Sequence, residues 1–599
     1  MSEPIPTPAS GFGVRVAAVV CAVACVGVAT GFWVVQRKPA GSPTLPTPGS
    51  SDKPTPVITA GAPAALKDWG KPDLTIVLTG QTYGYLSPCG CSRPQKGGIE
   101  RRANFLDGLR AKGWQVVGLD LGDAAAQTWD DTKPKGLRKQ NTLKYRTTMQ
   151  AMAAMGYAAV GLGETEFTGQ LFPLLGEYTL QNANKRPIVL GANLVHVGQG
   201  GTLTPRETIF AIPNARPMVE DFEVISGDNQ PTVAVVGLLG ADLIGKLPKI
   251  DSQLAVGDAK VTLTAVLAKM DKLPTKPDIR VLMYSGNLDA AKAAAKAFPQ
   301  FNLIVCQSEE SEPPQFPARE NDGKTLVVQV GHKGQNVGVV GVFKTDAGYE
   351  MKYQLAPLGE EYITPAEKVK GHKVLELLEE YAGTVERDNL LAVARAKPQP
   401  HRAQIQLPND KPTYVGADVC RKCHAAEFAV WNASKHSHAY EALVKAAERP
   451  SKRQFDPECV SCHTTGFEYV GGFDNAKASA HLLGNQCENC HGPGSAHAAA
   501  PNNKALYGEL MSWAAKPGDR LPNIEVFKAA AKLKSHERDQ PGGPLAKLTA
   551  DQKRMMNLVT AMCMKCHDGE NDPKFDLIEY FPKIHHSGLK NAGLPPGAK

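Results

Sequence analysis

Aromatic residues supply only 7% of this 599-residue chain, and charge of one sign is nowhere concentrated. There are 67 Lys and Arg against 60 Asp and Glu, and the surplus is spread along the chain. No basic stripe of the kind that holds nucleic acid is present, so no nucleic-acid partner is expected. Long apolar runs are equally scarce: one, Val16 to Val35, reaches the length that spans a bilayer. Cysteine and histidine are sparse over the first 412 residues. Eight of the 13 cysteines and 11 of the 15 histidines come after that point. A scattered, purely structural usage does not give this pattern, and it marks a metal or cofactor domain at the C-terminal end. The remaining composition, 42% hydrophobic and 21% charged, is ordinary for globular protein. A chain of this length exceeds one compact core, so two domains with connecting segments are expected.

The apolar run reads as a transmembrane anchor or signal over residues 14–36, preceded by a cytoplasmic N-terminus at 1–13. Arg15 stands before the run and Arg37 and Lys38 after it, so the flanking charges leave its orientation open. No small-x-small cleavage site follows directly. A cleaved signal and a lipid attachment at Cys25 stay open as alternatives. Residues 37–72 are rich in Pro, Gly, Ser and Thr and read as a flexible linker.

From residue 73 the pattern changes to strands alternating with helices, which predicts an α/β sheet domain over 73–357. Strands are expected at 74–78, 116–120, 232–238, 279–283, 303–305 and 326–330. Helices are expected from about 99 to 111 and from 141 to 155. The segments carrying Gly84-Tyr85-Leu86-Ser87-Pro88-Cys89-Gly90-Cys91, Gly97-Gly98-Ile99-Glu100-Arg101, Leu121-Gly122-Asp123, Gly161 to Phe167 and Gln329-Val330-Gly331-His332-Lys333-Gly334 occur in this order. Together they resemble the 5'-nucleotidase family of metallophosphoesterases. The resemblance implies a two-metal hydrolytic site, in which metals activate water and polarise the phosphoryl group. Its ligands are largely replaced. Gln81 and Tyr83 stand where an Asp-x-His is implied, and Gly163-Glu164-Thr165-Glu166 where a Gly-Asn-His-Glu is implied. Ser285 and Ser308 fall near the later histidines, and only Asp123 keeps its place. The domain is therefore expected to be non-catalytic and to serve docking or scaffolding. Cys89 and Cys91 read equally as a redox or metal-binding thiol pair or as one disulfide, with Cys306 as a candidate partner, and a spare thiol. His196 and His332 read as ordinary loop or core residues. Residues 358–412 read as a helical connector, with apolar residues at helical spacing between Pro365 and Ala396.

Four Cys-x-x-Cys-His motifs follow: Cys420 to His424, Cys459 to His463, Cys487 to His491 and Cys563 to His567. Two thiols three positions apart reach the two vinyl groups of one haem, and the adjacent imidazole falls on its iron. A zinc site would not need a histidine after every pair. Residues 413–599 are thus expected to form a tetrahaem cytochrome c domain. It would hold four covalently bound haem c, attached at Cys420, Cys423, Cys459, Cys462, Cys487, Cys490, Cys563 and Cys566. His424, His463, His491 and His567 are the proximal ligands. Distal candidates are His436, His438, His481, His497, His585 and His586, while His536 lies in a charged stretch and reads as a surface residue. The supply suffices for full bis-His ligation, so the count alone does not reveal an open haem. Tyr414-Val415-Gly416, Trp431, Lys435 to Ala439, Thr464 to Phe467 and Gln486 to His497 make this region resemble the cytochrome c-554 family. The resemblance implies a mostly helical domain with stacked haem pairs. It also implies three bis-His haems and one five-coordinate haem, the one on His463. Residues 500–560 look like a surface insertion.

Covalent haem attachment implies a location on the outer face of an inner membrane, facing the periplasm, with redox proteins as partners. The sequence thus points to a membrane-tethered electron carrier. A reductase of a small nitrogen or sulfur compound at an open haem, or a phosphoesterase with a cytochrome appendage, are the alternatives.

Overall fold

The computed structural model describes residues 66, 68–88, 94–182, 185–197, 203–204, 216–245, 254–446, 449–510, 520–569 and 571–586. The apolar run at 14–36, nearly all of the linker, and both Cys89 and Cys91 lie outside them. Among the described residues no helix is long and apolar enough to cross a membrane.

The first domain is built on two six-stranded sheets. One has the strand order Gly348–Pro357, Asn336–Thr345, Leu74–Thr79, Val116–Asp120, Tyr157–Val160, Ile188–Val189. The other runs Ala318–Glu320, Thr325–Gln329, Leu303–Cys306, Ile279–Ser285, Val233–Leu239, Phe222–Ile225. Their central strands are parallel and buried on both faces, which is why they read as unbroken apolar runs. Successive side chains point to opposite faces. Leu74, Ile76 and Leu78 of the first sheet therefore meet Val235, Val281 and Met283 of the second in one core. Val77 turns the other way, towards the helices Ile99–Ala111, Arg138–Ala154 and Leu171–Asn182. Val236, Leu282 and Ile304 turn outward beneath Ala259–Met270 and Leu288–Ala297. The result is helix, sheet, sheet, helix, a layering with both sheets covered. The strand Leu303–Cys306 ends in a buried free thiol, whose pKa burial pushes up to about 12.

The connector belongs to both halves. Its helix Lys373–Arg387 buries Leu375, Leu378 and Tyr381 against the first domain. Beyond it, the Arg395 guanidinium donates to the carbonyls of Phe467 and Tyr469, the latter at 2.8 Å.

The C-terminal region is helical throughout, with short helices and small apolar clusters. Such clusters suit a fold arranged around large apolar prosthetic groups rather than around its own side chains. Part of the expected surface insertion is structural. Ile524–Ala530 packs on the last helix, Leu577–Ile584, with the Phe527 and Phe581 rings 4.7 Å apart.

Candidate functional site

Each Cys-x-x-Cys-His motif is placed on or beside a helical turn. Cys459, Cys462 and His463 share the helix Pro457–His463, and the third motif is the helix Cys487–His491. Residues three and four apart lie on one helical face, so both thiols and the imidazole project together. The motifs are also brought to one another. The Cys420 and Cys487 thiols are in hydrogen-bonding contact, as are those of Cys462 and Cys566. Cys490 lies within electrostatic reach of Cys563 and Cys566. The spatial order is thus first, third, fourth, second.

Three of the motif histidines face another imidazole. His424 and His497 have ring centroids 6.1 Å apart, and His436 and His567 stand at 6.0 Å, as do His491 and His586. Two imidazoles on opposite sides of one metal, each bonded at about 2 Å, place their centroids roughly 6 Å apart. The three pairs therefore fit haem iron between them. Three histidines have an outer ring nitrogen held as metal ligands require. His567 Nδ1 meets Asp572 Oδ2 at 2.8 Å, and His586 Nδ1 meets the carbonyl of Ile584 at 2.8 Å. His463 Nδ1 meets the carbonyl of Ala439 at 2.6 Å, which leaves Nε2 for a metal. Among the described residues no imidazole stands opposite His463. The other distal candidates go elsewhere. His438 is exposed beside Glu441 at 3.4 Å, His481 is exposed, and His585 packs on Phe581.

Residues in and just before the third motif tie the haem region together, which spacing did not reveal. Glu488 is buried, and its carboxylate accepts from the backbone N–H groups of Val415 (2.9 Å), Gly416 (2.7 Å) and Gly494 (2.7 Å). Gln486 accepts from the N–H of Ala417 and donates to the carbonyls of His481 and Leu483. Asn489 accepts from the N–H of Gly466 and donates to the carbonyl of Thr464. The loops before the first motif and after the second are thereby fixed to the third.

The first domain has a cleft of about 560 Å³, and it gathers Gln81, Tyr83, Asp123, Glu164, Thr165 and Ser308. Gln81, Tyr83 and Asp123 all hold positive φ, at 48°, 54° and 54°. Non-glycine residues rarely take that conformation, and it clusters at functional sites. The side chains there satisfy each other. The Gln81 amide donates to Tyr83 Oη (2.8 Å) and to the Ser308 carbonyl (3.1 Å), and accepts from the Ser308 N–H (2.8 Å). Asp123 accepts from the Thr165 N–H at 3.0 Å and from Gln307 Nε2 at 2.5 Å. Glu166 accepts from the N–H groups of Gly163, Asp123, Ala124 and Ala125 at 2.8–3.1 Å. Gly163 must lack a side chain, because a Cβ there would lie 2.4 Å from Asp123 Oδ1. His332 is no bystander: its Nε2 meets the Ser308 carbonyl at 2.8 Å. Among the described residues no group of three His, Cys, Asp or Glu is arranged to hold a metal ion. Ser285 lies apart, donating to the Leu121 carbonyl at 3.3 Å.

Residues 419–492 match the model of the family "Cytochrome c554 and c-prime". Over these residues the C-terminal region is similar to cytochrome c-554. Cytochrome c-554 of Nitrosomonas europaea is 33% identical over 135 residues, which are 21% of this chain and 55% of that protein. The chain thus spans about half the length of this curated relative. Among solved structures, the sulfate thiohydrolase SoxB of Thermus thermophilus in complex with glycerol aligns at 16% identity and TM-score 0.40. That alignment covers 53% of this chain and 62% of that one. A 5'-nucleotidase precursor from Thermus thermophilus aligns at 18% identity and TM-score 0.39, covering 65% of this chain and 74% of that one.

The c-554-like region is fastened to the first domain and the connector at its second motif. Lys144 Nζ sits 2.6 Å from Glu458 Oε1 and is largely shielded from solvent. Gln140 Nε2 donates to Asp456 Oδ1 at 2.8 Å, and the Tyr381 hydroxyl donates to Asp456 Oδ2 at 3.3 Å. Lys135 Nζ lies 2.9 Å from Asp568 Oδ2, just past the fourth motif. Sequence spacing carries no sign of the Gln140, Lys144 and Lys135 pairs, because their partners lie more than 300 positions apart.

Proposed function

We propose that this chain is a membrane-tethered, periplasm-facing tetrahaem c-type cytochrome that carries electrons. The observation that carries this reading is the opposition of three motif histidines to three others at iron-bridging separation. His424 with His497, His491 with His586 and His567 with His436 would each hold one low-spin haem, and His463 would hold the fourth alone. Covalent haem supplies the one-electron chemistry. The eight motif thiols and four motif histidines would hold it, and the thiol contacts bring the first motif beside the third and the second beside the fourth. Redox proteins are the partners, and the N-terminal run is the tether. The first domain holds the His463 end and does not hydrolyse phosphoesters, because Asp123 and Glu166 are committed to internal hydrogen bonds and no imidazole joins them in the cleft lining. A pyridine haemochrome assay with mass spectrometry of protein made with intact cytochrome maturation tests the reading. Four covalent haems are expected, and two or fewer would refute it.

A second reading has an observation of its own. His463 faces a cavity of about 410 Å³ together with Cys459 and Cys462. A haem there would be free to bind a small nitrogen or sulfur compound and reduce it. Carbon monoxide binding to the reduced protein separates a pure carrier from this reading.

A further inference from the structure

The cavity at Cys459, Cys462 and His463 is not closed by the c-554-like region alone. Tyr83 to Pro88 and Ala126 to Thr128 of the first domain form part of its wall. The first domain's own cleft adjoins it, since Tyr83 and Gln127 line both spaces. Two chambers therefore meet at these two side chains: one for the haem on His463, and one inherited from a hydrolytic architecture. Their linings differ in charge. The cleft is bordered by Asp123, Glu164, Asp242, Asp289, Glu309 and Glu310, with no Lys, Arg or His among its lining residues. The haem chamber has a mixed lining, Lys135, Lys144 and Arg453 with Asp456 and Glu458, and Lys135 and Lys144 are ion-paired across the domain boundary.

We propose that the cleft of the first domain is the entrance and binding chamber for a small uncharged or cationic molecule that reaches the haem on His463 between Tyr83 and Gln127. This rests on the reading that the haem on His463 is open. A cleft lined by one sign of charge focuses the field and raises the local concentration of the opposite sign. No Lys, Arg or His in the lining offsets these carboxylates, so anions are repelled at the mouth. Tyr83 suits a gate. It is half-buried, it accepts a hydrogen bond from Gln81, and its own O–H proton stays available for a visitor. Burial first, and then Asp123, raise its pKa, so the phenol keeps that proton. The composite arrangement also gives the first domain a role that needs no phosphoester chemistry. It decides what the haem meets.

The test uses the full-length holoprotein and two probes, azide on the oxidised haem and carbon monoxide on the reduced haem, followed by stopped flow and flash photolysis. Glu309 and Glu310 are exposed, so the double variant Glu309→Gln/Glu310→Gln leaves the core untouched. Azide association should rise roughly three- to tenfold at low salt. The gain should vanish at about 1 M salt, where the screening length is near 3 Å. Carbon monoxide association, which is blind to charge, should not change. Gln127→Trp narrows the passage and should slow both probes about tenfold or more, as an access barrier of roughly 1.4 kcal/mol requires. Association rates of both probes that ignore all these changes would overturn the proposal while leaving the open haem standing. Failure of either probe to bind the unaltered protein would overturn the open-haem reading, and this proposal with it.

Discussion

Replacing Glu488 with alanine should unfasten the c-554-like region. The carboxylate is 3% exposed and accepts from three backbone N–H groups, on Val415, Gly416 and Gly494. Those groups belong to the loop before the first motif and the turn after the third, and the structure gives them no other acceptor at that point. A buried donor left without a partner costs about 1–3 kcal/mol. Three of them, partly relieved by entering water, amount to roughly 3–6 kcal/mol. A whole domain is stable by only about 5–15 kcal/mol, so the loss is a large share. Glu488→Gln keeps the shape and one accepting oxygen but turns an NH2 towards a donor, and should cost about 1–3 kcal/mol. The assay is guanidinium unfolding of the holoprotein followed at the haem Soret band, with haem content checked in each variant. A Glu488→Ala variant destabilised by less than about 0.5 kcal/mol, below the cost of even one lost hydrogen bond, would show that these bonds do not hold the haem loops.

Three further outcomes are expected. His436→Ala, His497→Ala and His586→Ala should each convert one low-spin haem to a high-spin, carbon-monoxide-binding one, and a spectrum unchanged by any of them removes that histidine from the ligand set. Lys144→Ala strands the shielded carboxylate of Glu458 and should destabilise the domain junction by about 1–3 kcal/mol, less than the full buried-pair cost because both groups keep some solvent. The double variant Lys144→Met/Glu458→Leu should recover most of that loss, and an equal loss in single and double variants would contradict the ion-pair account. Nucleotides and generic phosphoesters, supplied with zinc, manganese or calcium, should not be hydrolysed, and turnover that disappears in Asp123→Ala would refute this.

The parallel strands were plain in the sequence because burial on both faces writes them as apolar runs, as in Leu74–Thr79 and Val233–Leu239. The hairpin Asn336–Thr345 and Gly348–Pro357 was not, because its outer strand alternates exposed and half-buried residues over most of its length and lacks such a run. The thiols and proximal histidines are legible because attachment demands them at fixed local spacing. The histidines that face them were legible as six candidates but not as pairs, because those partners come from a distance in the chain. His436 and His438 are two residues apart, yet only His436 faces His567, while His438 is 64% exposed beside Glu441. His586 rather than its neighbour His585 meets His491, through the direction in which the last helix ends. The cleft residues of the first domain were legible one by one, but their mutual satisfaction was not. That depends on Ser308 and Gln307 reaching across 184 to 227 positions to Asp123 and Gln81. The junction charges Lys144, Asp456 and Glu458 carry no local pattern at all.

The ligation pattern is tested most directly by titrating the dithionite-reduced, full-length holoprotein with carbon monoxide while counting haems by pyridine haemochrome. Three opposed imidazole pairs and a solitary His463 predict that one haem in four binds the gas and that the other three stay low-spin. Binding by none of the haems, or by two or more in the unaltered protein, would contradict the account.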